Sequence, residues 1–205
     1  MFRFATLILL GAMTLTAWAA PRGRVIRVER GTSAADPRFC AIGLRSSESL
    51  CFGKPAEGER VLLIDPEQKV IVGELRIDKV TPTTDVGGMG FCSDAGLYSI
   101  KGTVVDGEER LVKREALGVR GLKVNRKSAR VLTNGASPSG RSTDRVTLTL
   151  DANGDGRADL VLTQYACDAT GAPATTVEGW CVDTYTAQPD GRLQRTHQDV
   201  LKACT

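Results

Sequence analysis

One histidine, His197, serves a chain of 205 residues, and aromatic residues make up only 5% of it. His197 stands in a polar tail, "LQRTHQDV" (193–200), with no fixed acidic partner evident, so it reads as a surface residue before it reads as a catalytic base. Few aromatics argue against a carbohydrate-binding face or a stacking platform for single-stranded nucleic acid, since both rely on exposed rings. No two cysteines are spaced C-x-x-C, which speaks against a zinc knuckle and a thioredoxin-type redox site. There is no G-x-S-x-G elbow and no S-x-x-K pair. The glycine-rich "DVGGMGFCSDAG" (85–96) lacks the strand–G-x-G-x-x-G–helix order of a nucleotide fold, and "FGKP" (52–55) lacks the rest of a Walker loop. No specific nucleic-acid motif occurs. The chain also lacks an apolar run of the roughly 20 residues that a membrane span needs. The expectation is a protein that is not an enzyme.

What is present begins with the first residues. Arg3 precedes an apolar run from Phe4 to about Leu15, followed by Ala17-Trp18-Ala19. Charge, short apolar run and alternating small residues are the order of a secretory signal peptide. The expected leader is 1–19, cut before Ala20, because Pro21 would block cleavage directly before itself. No cysteine lies near the cut and no twin-arginine pair is present. The expected location is periplasmic or extracellular, in soluble form.

In an oxidising compartment six cysteines read as disulfides. They are Cys40, Cys51, Cys92, Cys167, Cys181 and Cys204. Spacing does not fix their pairing. Proximity suggests Cys40–Cys51 and Cys167–Cys181, which leaves Cys92–Cys204.

The apolar pattern is that of strands. "RVIRVER" (24–30), "RVLLID" (60–65), "KVIVGELRI" (69–77), "LYSIKGTVV" (97–105), "RVTLTL" (145–150) and "DLVLTQY" (159–165) are rich in β-branched residues and punctuated by Gly, Pro and Asp. Asp65-Pro66-Glu67-Gln68 suits a tight turn, with Pro fixing φ, so the strands around it form a hairpin. Helical candidates are short, Arg110–Leu117 and Thr196–Ala203. The fold class is mainly β: a small β-barrel or sandwich over 20–132, a small-residue linker at 133–144, and a β-sheet subdomain over 145–205, all disulfide-linked. Charge divides at the same place. Residues 20–143 hold 21 Lys/Arg against 15 Asp/Glu, and residues 144–205 hold 5 against 9.

Two stretches carry candidate chemistry. The first is "DANGDGRADL" (151–160). Asp151, Asn153, Asp155, Arg157 and Asp159 occupy alternate positions 1, 3, 5, 7 and 9 of a ligand frame, with Gly156 at the bend. Calcium takes 6–8 oxygens in flexible geometry, and a backbone carbonyl serves at position 7, so Arg157 is tolerated there. An EF-hand is excluded by Leu162 at position 12, where a bidentate Glu is required, and by strand-like flanks. The bland reading is a polar turn, for Asn-Gly and Asp-Gly favour hairpin turns without any metal. The frame followed by a Leu-Val-Leu strand resembles the calcium loop of FG-GAP and VCBS-type repeats. That resemblance covers about 20 residues of 205 and occurs once, so no propeller is implied. It implies Asp151, Asn153, Asp155, the Arg157 carbonyl and Asp159 as ligands of a structural calcium ion.

The second stretch is basic. Arg110, Lys113, Arg114, Arg120, Lys123, Arg126, Lys127 and Arg130 fall within 110–130, with Glu115 the one acid among them. Such a strip attracts anionic polymers or a membrane surface, or is simply a solvated face. Trp180 is expected to pack over a disulfide or against Tyr185. The function expected is that of a secreted or periplasmic calcium-binding protein with a non-catalytic binding or envelope-associated role. The alternative is a secreted enzyme or inhibitor without a sequence signature.

Overall fold

A computed structural model describes residues 37–43, 49–83, 85–86, 89–90, 96–107, 115–133, 135–174 and 179–202. The expected leader, the strand at 24–30, Arg110, Lys113, Arg114 and the pair Cys92–Cys204 lie outside those residues. Thirteen strands and no helix are found among the described residues. The mainly β reading holds.

Six strands close an antiparallel barrel: β1 (Arg38–Ile42), β2 (Ser49–Phe52), β3 (Arg60–Asp65), β4 (Val70–Pro82), β7 (Leu97–Gly107) and β8 (Ala116–Arg120). The order around it is β1-β2-β7-β4-β3-β8, with β8 returning to β1. The short strands β5 (Asp85–Val86) and β6 (Met89–Gly90) pair with each other. β3 and β4 form the expected hairpin. Asp65 Oδ1 accepts from the Glu67 and Gln68 N–H groups at 2.8 and 2.9 Å, and Lys69 completes the turn at φ 55°.

The sequence "VLLI" at 61–64 explains how the barrel is used. Alternate side chains of a strand point to opposite faces. Val61 and Leu63 enter the barrel interior with Cys40, Ile42, Cys51, Leu75, Ile77 and Ile100. Leu62 and Ile64 leave by the outer face and join Phe39, Leu50, Phe52, Leu97 and Val119 in a second apolar cluster. Both faces of β3 are therefore buried, which is why its four central residues are all apolar. Cys40 and Cys51 stand directly opposite in the β1–β2 register and are joined by a disulfide inside the barrel.

The second cluster is completed by another sheet, ordered β13-β12-β11-β10-β9. Its strands are β9 (Arg130–Val131), β10 (Arg145–Asp151), β11 (Leu160–Cys167), β12 (Gly179–Ala187) and β13 (Leu193–Lys202). Leu148, Leu150, Leu160, Leu162 and Val182 pack into one cluster with the outer residues of the barrel. Fully burying each such side chain stabilises by about 1.5–3 kcal/mol. One core thus spans both sides of the 133–144 stretch.

That stretch is itself tied down. Arg141 donates to Asp144 at 2.8 Å and to Asp183 on β12 at 2.9 Å, and its guanidinium lies 4.1 Å above the Tyr165 ring. The hydroxyls of Ser137 and Ser139 donate to Asp144. Burial opposes ionisation of Asp144, but those hydroxyls and Arg141 outweigh it and hold its carboxyl below the usual carboxylate value. Asp183 has no exposed surface. Besides Arg141 it accepts from Tyr165 and Tyr185 hydroxyls at 3.2 and 3.4 Å, from Gln198 at 3.1 Å and from Arg195 at 3.5 Å. Burial and the Asp183 charge push both tyrosine hydroxyls above the ordinary phenol value. Beside this network the Cys167–Cys181 disulfide packs with Tyr165 and Val200. Two of the three suggested pairings are present.

Five expectations change. Of the helix expected over Arg110–Leu117, residues 110–114 lie outside the described residues, and Ala116 and Leu117 open strand β8, held between β1 and β3. The tail expected as a helix from Thr196 is strand β13, because its residues find a complete partner in β12. Within that strand His197 does have an acidic neighbour, with Nε2 3.0 Å from Asp199 Oδ1. Trp180 packs neither on the Cys181 disulfide nor on Tyr185, since strand alternation places it on the opposite face from both. Arg120 is not a surface cation. It is buried, donating to the Phe52 carbonyl at 2.8 Å and to Glu59 at 3.3 Å, and burial lowers its pKa against the pull of Glu59. Arg126 in turn is paired with Asp106.

Candidate functional site

The ligand frame sits at a hairpin tip. β10 ends at Asp151, β11 begins at Leu160, and the two strands are in antiparallel register from Arg145–Gln164 to Leu150–Leu160. The apolar alternation on both sides fixes this placement. Leu150, Leu160 and Leu162 must face the barrel, so the polar residues between them are forced out at the turn. Leu162 is Leu, rather than a metal-binding Glu, because its position belongs to the core.

The loop closes on its own carboxylates. Asp151 Oδ1 accepts from the Gly154 N–H at 2.6 Å, and Oδ2 from the Gly156 N–H at 2.8 Å. Both glycines have positive φ, 84° and 83°, a conformation that side chains disfavour. Asn153 Oδ1 accepts from Asp155 N–H at 2.8 Å, and Asp155 Oδ1 from Arg157 N–H at 2.9 Å. Asp159 Oδ2 accepts from Ala152 N–H at 2.9 Å across the neck of the loop. These are the side-chain-to-backbone bonds by which Asp and Asn build turns.

Neighbouring segments brace it. The Asn125 N–H donates to Ala152 carbonyl at 3.0 Å, and the Ser128 hydroxyl to Asn153 carbonyl at 2.8 Å. Ala187 at the end of β12 donates to Asp159 carbonyl at 2.9 Å. Nothing in the sequence singles out Asn125 or Ser128 beyond a polar turn. The same holds for Asp183, one acid in a strand whose partners come from five other positions.

Of the five candidate ligands, Asp151 and Asp159 are buried, at 0% and 4% exposure, while Asp155 and Arg157 are exposed. The Asn153 amide lies 3.3 Å from Asp155 Oδ2. The Arg157 guanidinium is turned away toward Gly191 in the β12–β13 turn. Among the described residues no three His, Cys, Asp or Glu side chains converge as a metal ligand set. The donors are nonetheless all oxygens, which suits a hard cation and not a soft one. Asp151 is the unusual member. Its two bonds come from neutral backbone N–H groups, and among the described residues no Lys or Arg pairs with it.

Neither a protein-family model nor a curated protein nor a solved structure matches this chain.

Proposed function

We propose that this is an exported, non-catalytic binding protein whose second sheet is pinned by a structural calcium ion at the 151–159 loop. The observation that carries the metal is Asp151: a wholly buried carboxylate bonded only to neutral donors, with Asn153, Asp155 and Asp159 within eight residues. A divalent cation supplies the charge that this group lacks. Asp151, Asn153, Asp155, Asp159 and the Arg157 carbonyl are the residues that would hold it. The ion draws together carboxylates that otherwise repel one another and fixes the hairpin against the turn at 125–128.

Work outside the cytosol is supported by the two buried disulfides, which persist in oxidising compartments. The order of residues 1–19 agrees with export. No described helix is long and apolar enough to cross a membrane. Binding, rather than turnover, is the reading because the buried polar groups that cluster here, Asp183 with Arg141, are closed off by their own partners.

Thermal melts of the oxidised protein with calcium, with magnesium and with chelator test the metal. An ion that binds only the folded state stabilises by about 2.7 kcal/mol at a hundredfold excess over Kd. Calcium should raise the midpoint, and Asp155→Ala should abolish the rise. Because Asp155 is exposed, its loss leaves the core intact. Wild-type protein that melts identically in calcium and chelator would reduce the loop to a polar turn.

A further inference from the structure

The face of the second sheet that packs on the barrel does not end with the barrel. Leu148, Leu162 and Val182 are covered, but the same face continues through cross-strand pairs Arg145–Gln164 and Ala166–Trp180. There the side chains line an open groove of about 570 Å³, with Pro173 and Ala174 along it. That volume lies within the range of small-ligand sites. The scarcity of aromatics argues against a carbohydrate-binding face, but one ring is presented: Trp180 is 48% exposed at this groove, and no other aromatic among the described residues is left so open.

The chemistry of the lining is one-sided. Arg145 is its single charged residue, and no carboxylate lines it. Arg145 is exposed and makes no ion pair among the described residues, whereas Arg141, four positions earlier, is engaged by Asp144 and Asp183. A free guanidinium presents paired donors that match a carboxylate. The indole offers a flat apolar surface with a polar edge. Gln164 and Thr143 add amide and hydroxyl groups able to bond to ring hydroxyls. Arg145 repels a cationic ligand, and a purely apolar one would leave these polar groups unpaired.

We infer that the groove beside Trp180 binds an acidic sugar unit of uronic acid type, with the ring against the indole and its carboxylate on Arg145. The inference rests on the reading of this chain as a binding protein and names a ligand class for it. It places the recognition site apart from the calcium loop, at the opposite end of β11 from Leu160.

Intrinsic fluorescence tests this directly. The chain contains two tryptophans, Trp18 and Trp180, so in full-length Trp18→Phe protein the emission reports the groove alone. Trigalacturonate is titrated against it, beside neutral maltotriose, each with calcium and with chelator. A saturable change with trigalacturonate is expected, with maltotriose much weaker. Arg145→Ala should weaken binding about tenfold, as expected for one charge-assisted contact. Binding that survives chelation while calcium has no effect on the melt would retain the groove and overturn the calcium loop. Chromatography of the trisaccharide after incubation reads turnover, and cleavage would overturn the non-catalytic reading while leaving the site in place. Equal binding of both trisaccharides, no change in emission, or indifference to Arg145→Ala would each overturn the inference.

Discussion

Gly118 is closely packed inside the barrel, and replacing it with alanine tests how the barrel interior is packed. The residue lies on β8 with its missing side chain aimed inward. A Cβ there would stand 2.5 Å from Val61 Cγ1, 3.1 Å from Ile42 Cγ1 and 3.3 Å from Cys40 Cβ. All three neighbours are buried, and Cys40 is held by its disulfide, so they have little room to retreat. Forcing one extra carbon into such a core costs about 1–3 kcal/mol. Its backbone does not need positive φ, so alanine gains roughly 0.4–1 kcal/mol from a less flexible unfolded chain. The expected net loss is about 1–2 kcal/mol, or a fall of roughly 3–6 °C in melting temperature for a chain of this size. Urea denaturation followed by circular dichroism measures it. Val61→Ala alone should also destabilise, by leaving a cavity. Together the two changes should cost less than their sum by at least about 0.5 kcal/mol, because one makes space for the other. A neutral Gly118→Ala, or strict additivity with Val61→Ala, would refute the inward orientation of β8.

Two further outcomes follow from the outer network. Asp183→Asn should destabilise by about 3–5 kcal/mol, because the buried Arg141 contact and two tyrosine hydroxyls lose their shared anion; chemical denaturation measures this, and a loss under 1 kcal/mol would mean the network contributes little. The Asp144 carboxyl is held below its usual value in the folded state, so its contribution is fully present above the unfolded value of 3.8 and is lost as pH falls through the lower folded one. The stability difference between wild type and Asp144→Asn, measured from neutral pH down to about pH 2, should therefore shrink on acidification. A difference that is constant with pH would remove Asp144 from the acid response.

Much of this architecture is legible in the residues, where a side chain's surroundings follow from its own strand. "RVLLID" and "RVTLTL" name strands because β-branched alternation has few other uses, and Asp65-Pro66 names its turn from local stereochemistry. The two short-range disulfides followed from chain proximity alone. What stayed hidden depends on partners distant in sequence. β13 carries Thr196, His197, Gln198 and Asp199 in succession, with no apolar alternation, and is a strand only because β12 lies beside it. Arg120 looked like one more cation in a basic run, and only barrel closure shows that it points at the Phe52 carbonyl. Trp180 and its sequence neighbour Cys181 lie on opposite faces of β12, because adjacent strand residues never share a face. At the loop, the five candidate ligands were readable from spacing. The bracing by Asn125 and Ser128 was not, since it requires knowing which turn docks against the hairpin.

The shared core has a consequence for how the chain acquires its structure. β10, β11 and β12 each pair with their immediate successor, and such short-range pairing closes quickly. The barrel instead joins β1 to β8, matching Arg38 with Arg120, and must gather a long intervening segment first. During synthesis the barrel strands emerge before the sheet that covers them. Until it arrives, Phe39, Phe52, Leu62, Ile64 and Val119 present a continuous oily patch to water. An isolated fragment ending before β10 would keep that patch permanently, and would self-associate rather than remain a monomer.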